Sequence, residues 1–190
     1  MANGIHSLAS LAPDFCKQYV NQPCLLNEAV YEQVMENVMK KIEAKPSSQM
    51  VSVSMNDVSS WCTCDKCKPF IEEHGESEYL IRFVNRVAEE IEKRGYKDIL
   101  VHTFAYSDVL SAPTTSPRHN VIIQYAPIDA CIGHPMSAKC NYTPITYYSG
   151  QYLQDWGKTG CNMYLWTYHG NYGAPIPNTD MSYATMSGNA

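Results

Sequence analysis

Four short apolar runs separated by long connections most constrain the fold of this chain. The runs cover residues 50–54, 99–106, 121–125 and 162–166. Strands joined by long crossover connections pair in parallel, whereas hairpins join antiparallel strands. The first and third runs are β-branched and apolar, as in strands that are covered on both faces. The sequence therefore predicts an α/β fold built from parallel β/α units.

Helical patterns lie between these strands. Apolar residues recur at every fourth position from Val30 to Ile42, which predicts a helix that Asn27 caps and Pro46 ends. Two further helices are predicted near residues 77–95 and over about 147–156. The stretch at 174–190 is rich in Pro, Gly, Ser and Asn and is predicted to form a loop or a disordered tail.

Length and charge narrow the class of protein. The 190 residues form most simply one domain, and a closed (β/α)8 barrel takes about 250 residues. The chain is therefore either a small four-stranded α/β domain or about half of a barrel. A net charge of −5 without a Lys/Arg-rich run argues against a nucleic-acid partner. No apolar segment reaches the roughly 20 residues of a membrane span, and the N-terminus lacks a signal-peptide pattern.

Polar residues follow each predicted strand, at the edge of a parallel sheet where α/β proteins build their sites. Two carboxylates across such a pocket can act as acid and base in glycosidic hydrolysis. We expect Asp57, buried under neighbouring loops, to be the acid or acid–base, and Asp129, with Asp108 behind it, to be the second carboxylate. Asp129 as a loop hydrogen-bonding residue is the alternative. The strand-end residues are Asn56, Asp57, Tyr106, Asp108, Asp129, His134, Trp166, Tyr168 and His169.

The aromatic composition favours residues with polar tips. There are 14 Tyr and 3 Trp against 4 Phe, and Tyr and Trp combine a flat apolar face with a hydrogen-bonding group. A sugar, with CH faces and many hydroxyls, suits such a surface, although Tyr can equally fill half-buried positions. His102 lies within a strand and is predicted to be a buried core residue.

Three of the eight cysteines form a C-x-C-x-x-C cluster at Cys62, Cys64 and Cys67. Zn²⁺ takes four ligands in a tetrahedron, and this spacing lets neighbouring thiolates share one ion. Cys24 is the predicted fourth ligand and His74 the second choice. An all-thiolate site leaves no open position, so the zinc would be structural. A disulfide such as Cys24 with Cys62, or free thiols, are the alternatives.

The chain carries the motifs GIHSL, QPCLLN, SVSMND, WCTCDKC, FVNRVA, FAY and LWTY, at residues 4–8, 22–27, 52–57, 61–67, 83–88, 104–106 and 165–168. Together these motifs resemble the bacterial family called domain of unknown function 4838, over about residues 6–172. The family groups with glycoside hydrolase barrels of the α-glucuronidase and β-hexosaminidase kind. The Asn-Asp pair followed by C-x-C-x-x-C is the most specific part of the resemblance.

The resemblance implies a (β/α)8 barrel in longer, often exported, carbohydrate-degrading bacterial proteins. This chain would supply strands four to seven, and His6, which composition alone places at the surface, would close strand three as a sugar-pocket residue. The chain departs from the family pattern at Thr167, where members tend to carry an acidic residue.

We therefore predict that residues 1–190 form one partial barrel domain of a glycoside hydrolase, which needs no catalytic cofactor. Non-catalytic sugar binding and structural zinc binding are the alternatives. A half barrel would have open inner strand faces and unpaired edges, so the missing half or a second copy of the chain is the expected protein partner. The predicted catalytic residues are Asp57 and Asp129, the sugar contacts are His6, Asn56, Tyr106, Asp108, Trp166 and Tyr168, and the zinc ligands are Cys24, Cys62, Cys64 and Cys67.

Overall fold

The computed structural model of the chain describes residues 5–16, 21–130 and 145–166. These residues form an α/β fold around one parallel sheet of four strands, in which every neighbouring pair is parallel. This arrangement confirms the predicted α/β fold with parallel strands. In order across the sheet, the strands are β1 (Met50–Ser52), β2 (Leu100–Tyr106), β3 (Val121–Ala126) and β4 (Asn162–Leu165).

The helices connect and cover these strands. The Asn27 side chain accepts a 3.0 Å hydrogen bond from the N–H of Ala29 and caps the second helix, as predicted. The first and third helices are short and were not predicted. Among the described ranges, no helix is both long and apolar enough to span a bilayer. The helices are α1 (Leu8–Leu11), α2 (Glu28–Ala44), α3 (Cys67–His74), α4 (Glu76–Lys93) and α5 (Ile145–Lys158), with a 3-10 turn at Ser107–Val109.

One face of the sheet forms the apolar core with the helices. Alternate strand residues lie on the same face of a sheet, and here Val51, Val101 and Val121 are fully buried. They belong to one apolar cluster with Val84 and Ile91 of α4, which repeat at helical spacing. Burying each such side chain contributes roughly 1.5–3 kcal/mol. This packing fixes which residues of each strand face the other way.

The opposite face of the sheet is polar and aromatic. The pairing sets Ser52 opposite His102, Phe104 opposite Gln124, and Gln124 opposite Tyr164. The His102 ring nitrogens lie 3.0 Å from Ser52 Oγ and 3.1 Å from Gln124 Oε1, and the Tyr164 hydroxyl donates to the same Oε1 at 2.9 Å. His102 is fully buried, as predicted. Since Ser52, Phe104 and Gln124 are also buried, the expectation of an open inner face is wrong for these residues.

The outer edge of β1 is bonded to the segment that precedes α1. The N–H groups of Ser7 and Leu8 donate to the Ser54 carbonyl at 3.2 and 3.1 Å. The Ser7 hydroxyl donates to the Ser52 carbonyl at 2.9 Å, and the Ser54 hydroxyl donates to the carbonyl of Ile5. Residues 5–8 therefore cover the end of β1 at Ser52, where an unpaired edge was expected. The predicted loop at 174–190 lies outside the described residues.

Candidate functional site at the carboxyl ends of the strands

Tyr106 contacts two other residues that were predicted to form the sugar site, Asp57 and His6, where β1 and β2 end. Tyr106, the last residue of β2, donates a 3.0 Å hydrogen bond to Asp57 Oδ1. The His6 ring meets the Tyr106 ring edge-on at 6.0 Å and the Phe104 ring at 5.0 Å. His6 Nδ1 lies 3.0 Å from the Met55 carbonyl oxygen. A carbonyl can only accept, so Nδ1 donates and Nε2 is the acceptor of the neutral imidazole.

The Asp57 carboxylate is exposed to solvent. The expectation that neighbouring loops bury it is therefore wrong, because the chain after Asn56 turns outward. An exposed carboxylate held by a phenol can accept hydrogen bonds from a ligand that arrives from solution.

Asn56 holds the chain just before Asp57 and lies fully buried. Its Oδ1 accepts from the N–H of Ala9 at 2.7 Å, and its Nδ2 donates to the Asn21 carbonyl at 2.9 Å. Its own N–H donates to Gln22 Oε1 at 2.9 Å. The structure thus places Asn56 beneath the surface, where it fixes the start of the turn that presents Asp57.

Asp108 faces the loop that follows Asp57. Its Oδ2 accepts from the Trp61 indole N–H at 3.0 Å, and its Oδ1 accepts from the Ser59 hydroxyl at 3.1 Å. Ser107 has a φ of 50°, a left-handed conformation that is uncommon for a residue other than glycine. This turn lets Tyr106 meet Asp57 while Asp108 meets Trp61. Strained backbone of this kind clusters at functional sites.

The strand-end residues that follow β3 and β4 are only partly described. Asp129 is exposed, and among the described residues no hydrogen bond joins it to Asp57. Trp166 donates its backbone N–H to the Tyr125 carbonyl at 2.8 Å and leaves 46% of its surface exposed. Tyr168, with His134 and His169, lies outside the described residues.

Phe104 and Tyr164 contribute to this face of the sheet and were not predicted as site residues. The Phe104 ring lies between His6, to which it is tilted, and His102, which it meets edge-on, at 5.0 and 5.2 Å between ring centroids. The ring of Tyr164 lies 6.4 Å from that of His102. The signal that could have found them is the strand period of two, since each precedes a predicted site aromatic by two residues.

Burial keeps His102 uncharged beneath this edge. It lowers the pKa of His102 to about 4, and the nearby His6 lowers it further, against the opposing effect of the hydrogen bond to Gln124. The neutral ring donates from Nε2 to Gln124 Oε1, and its Nδ1 lies 3.0 Å from the Ser52 hydroxyl oxygen. The floor of the strand-end edge is therefore an uncharged hydrogen-bonded network.

Four cysteines form a second group of functional side chains, here called the thiolate cluster: Cys24, Cys62, Cys64 and Cys67. Their sulfur atoms all lie within 4.8 Å of one another. Cys24 Sγ is 3.3 Å from Cys67 Sγ and 3.9 Å from Cys64 Sγ. All four are free thiols in the structure. The predicted fourth residue, Cys24, thus lies with the other three, while the His74 ring packs on Phe70 at 4.7 Å.

The surroundings of the thiolate cluster orient its sulfur atoms. The backbone N–H groups of Cys67 and Lys66 donate to Cys64 Sγ and lower the pKa of Cys64 to about 6. Burial raises the pKa of Cys67 to about 11 and also raises the pKa of Cys24 and of Cys62.

Tyr79 forms a second layer around the thiolate cluster. Its oxygen lies 3.0 Å from Cys67 Sγ and accepts from the N–H of Leu25 at 2.7 Å. The phenolic O–H is then available to donate to the sulfur. Partners of this kind fix the direction of a metal ligand. Four soft sulfur ligands within reach of one ion are the donor set that zinc prefers for a closed site.

Comparison with known proteins places the chain in one family. The family model described as "Domain of unknown function (DUF4838)" matches residues 8–188. This match confirms the family resemblance, while the relation to glycoside hydrolase barrels stays a prediction. No curated protein and no solved structure matches the chain. Function is therefore inferred from the geometry of the two sites.

Proposed function

The chain belongs to the DUF4838 family, and we propose that it forms the carbohydrate-binding edge of a glycoside-hydrolase-type (β/α) barrel, as strands four to seven of that barrel. The contact of Asp57, Tyr106 and His6 at the carboxyl ends of parallel strands carries this proposal. It joins a carboxylate, a phenol and an imidazole at the edge where α/β enzymes bind substrates.

The groups at this edge match the chemistry of a sugar. A sugar ring offers hydroxyls that donate to carboxylate and imidazole acceptors, and CH faces that pack on aromatic rings. Asp57 and His6 supply the acceptors, and the exposed indole of Trp166 supplies a wall. Tyr168 follows on the same stretch and is proposed as a further wall. Such a pocket needs few polar groups, provided that they converge.

In this proposal Asp57 acts as acid or acid–base and Asp129 supplies the second carboxylate. The two follow β1 and β3, which are separated by β2 in the sheet. Two strand spacings amount to roughly 10 Å. An inverting glycosidase leaves about 6.5–9.5 Å between its two carboxyl groups for a water molecule, and a retaining one about 5–5.5 Å. Direct contact between the two carboxylates is not required.

A glycan array with the purified chain tests the sugar proposal. We expect Trp166→Ala to lose binding and Asp98→Asn, which alters an exposed carboxylate at the opposite ends of the strands, to bind as the wild type does. A hydrolase with the Asp57→Asn substitution keeps its ligand and loses turnover, whereas a binding module has no turnover to lose. Wild-type chain that captures no glycan, or Trp166→Ala that binds equally well, contradicts the proposal.

The thiolate cluster favours a second function, structural zinc binding, which we also propose. Cys24, Cys62, Cys64 and Cys67 would hold the ion, whose role is to cross-link two segments of the chain. Substitution with cobalt(II) tests this role, because a tetrahedral thiolate site gives cobalt an intense visible absorption. We expect that absorption in the wild type and in Cys161→Ser, and a weaker and shifted absorption in Cys64→Ser, which keeps three of the four sulfur ligands. An identical spectrum in Cys64→Ser contradicts the proposed ligand set.

The partner of the sheet is proposed to join at β4, as either the missing barrel half or a second copy of the chain. β4 is the end strand of the described sheet, and Leu165 is 38% exposed there. Exposed edges of this kind recruit further strands. We expect Leu165→Lys to abolish self-association in light scattering after size exclusion. A wild-type chain that stays monomeric and unfolds with full cooperativity contradicts pairing with a second copy.

A further inference from the structure

Two segments that are distant in sequence are joined along their length. We call residues 21–25 the strap and residues 56–67 the Asp57 loop. Gln22 of the strap, which is 2% exposed, donates from Nε2 to the carbonyls of Asn56 and Val58 at 2.8 and 2.7 Å. Its backbone N–H donates to the Ser60 carbonyl at 2.8 Å. Amide hydrogen bonds thus fasten one end of the Asp57 loop to the strap.

Sulfur atoms meet at the other end of the same two segments. Cys24 belongs to the strap, while Cys62, Cys64 and Cys67 end the Asp57 loop. Neutral thiols form weak hydrogen bonds, and thiolates at these distances repel one another. A bound cation reverses that repulsion and closes this end. Hydrogen bonds within the protein thus hold the strap and the Asp57 loop together at one end, and a bound ion would hold them together at the other end.

Trp61 lies between the thiolate cluster and the strand-end edge. Its ring meets the Tyr79 ring edge-on at 5.9 Å, and the Tyr79 hydroxyl lies against Cys67 Sγ. Its indole N–H donates to Asp108, two residues beyond the Tyr106 that holds Asp57. A continuous path of packed and hydrogen-bonded groups thus links the sulfur atoms to the Asp57 carboxylate.

We propose that metal binding at the thiolate cluster orders the Asp57 loop and that Trp61 is the positioning residue that carries this order to Asp57. The inference rests on the zinc and sugar sites proposed above. A chain without its ion keeps the sheet and the amide end of the strap, which holds residues 56–60, and loses the fixed placement of Trp61 and with it the link to the Asp57 side chain. Sugar binding at the strand-end edge then depends on the bound metal.

Hydrogen exchange with mass spectrometry on the full chain tests this coupling. The zinc-loaded chain is compared with the same chain after a strong zinc chelator. We expect peptides that cover residues 61–66 to exchange about tenfold faster or more without the ion, and peptides from β2 to be unchanged. Cys161→Ser, with a thiol outside the thiolate cluster, should respond as the wild type does. Equal exchange in the loop, or an equal rise in β2, overturns the proposal.

Two further readings separate this proposal from those it rests on. Metal content is measured in every sample, and a chain that never holds zinc overturns both the zinc site and the coupling. A chain that holds zinc and shows no change in the loop overturns the coupling alone. Metal-dependent order in a chain that captures no glycan supports the coupling and removes the sugar proposal. Tryptophan emission compared with Trp61→Phe provides a second measure of the same ordering.

Discussion

The thiolate cluster and the strand-end carboxylates differ in how closely the fold brings their side chains together. All four cysteines, including Cys24 from another segment, come within 4.8 Å of one another. Of the three carboxylates, Asp57 meets Tyr106, Asp108 turns to Trp61, and Asp129 lies exposed beyond β3. Thiolate ligands at short spacing constrain one another's positions, whereas the direction of a carboxylate depends on loop turns such as the one at Ser107.

Removing the metal should have the largest effect on stability, and it tests whether the thiolate cluster holds a stabilising ion. Binding to the folded chain alone contributes about 4 kcal/mol to the free energy of unfolding when free zinc is a thousandfold above its dissociation constant. We expect chelation or Cys67→Ser to lower the midpoint of thermal unfolding strongly. Calorimetry measures it, with Cys161→Ser as the control. An unchanged midpoint in the chelated chain would show that the thiolate cluster holds no stabilising ion.

The pH dependence of stability tests whether His102, buried beneath the strand-end carboxylates, is uncharged. The pKa of His102 is about 4 in the folded chain, against an ordinary value of 6.5. The unfolded chain therefore binds more protons between these values, and stability falls as the pH drops from 6.5 to 4. The expected loss is roughly 3 kcal/mol. Urea unfolding across this range, wild type against His102→Gln at equal metal load, measures it. Parallel curves for the two proteins would contradict a neutral buried His102.

Asp108→Asn tests the contact with Trp61, which joins the strand-end carboxylates to the thiolate cluster. The substituted amide keeps one acceptor and sets an NH2 group against a donor, either Trp61 or Ser59. We expect a loss of about 1–2 kcal/mol in the free energy of unfolding. Asp98→Asn, at an exposed position, should change it by less than about 0.5 kcal/mol. Equal stabilities for the two variants in urea would mean that the Trp61 contact contributes nothing.

Tyr106→Phe should have the smallest effect on folding. The hydrogen bond to Asp57 is exposed, so its loss should cost about 0.5 kcal/mol of stability. The freed carboxylate loses its fixed direction, and we expect a several-fold weaker affinity for the glycan that the array identifies. Titration calorimetry with that glycan measures the affinity. A variant that binds as tightly as wild type would remove Tyr106 from the site.

Much of the fold could be predicted from the sequence because its periodicities are strong. The apolar residues at every fourth position from Val30 to Ile42 and the cap at Asn27 predicted α2, and the four short apolar runs with long connections predicted the four parallel strands. The helix α3 was missed because it begins at Cys67, inside a stretch whose spacing indicated metal ligands. The bonding of residues 5–8 to β1 depends on serine hydroxyls, which leave no periodic signal.

The candidate site could be predicted only in part, for a related reason. Residue type and position after a strand identified Asp57 and Tyr106, which do meet, and the family resemblance added His6, whose ring contacts that of Tyr106. The roles of Asn56 and Asp108 depend on partners in other segments, Gln22 and Trp61, that no local pattern names. The burial of Asp57 was predicted wrongly because exposure follows from how neighbouring loops turn.

Native mass spectrometry of the intact chain tests most directly whether the thiolate cluster holds the ion that fixes the Asp57 loop. The expected result is one zinc ion per chain under native conditions, and a fully reduced chain with eight free thiols after denaturation. A metal-free native mass, or a denatured mass short of two hydrogens through a Cys24–Cys62 disulfide, would contradict it.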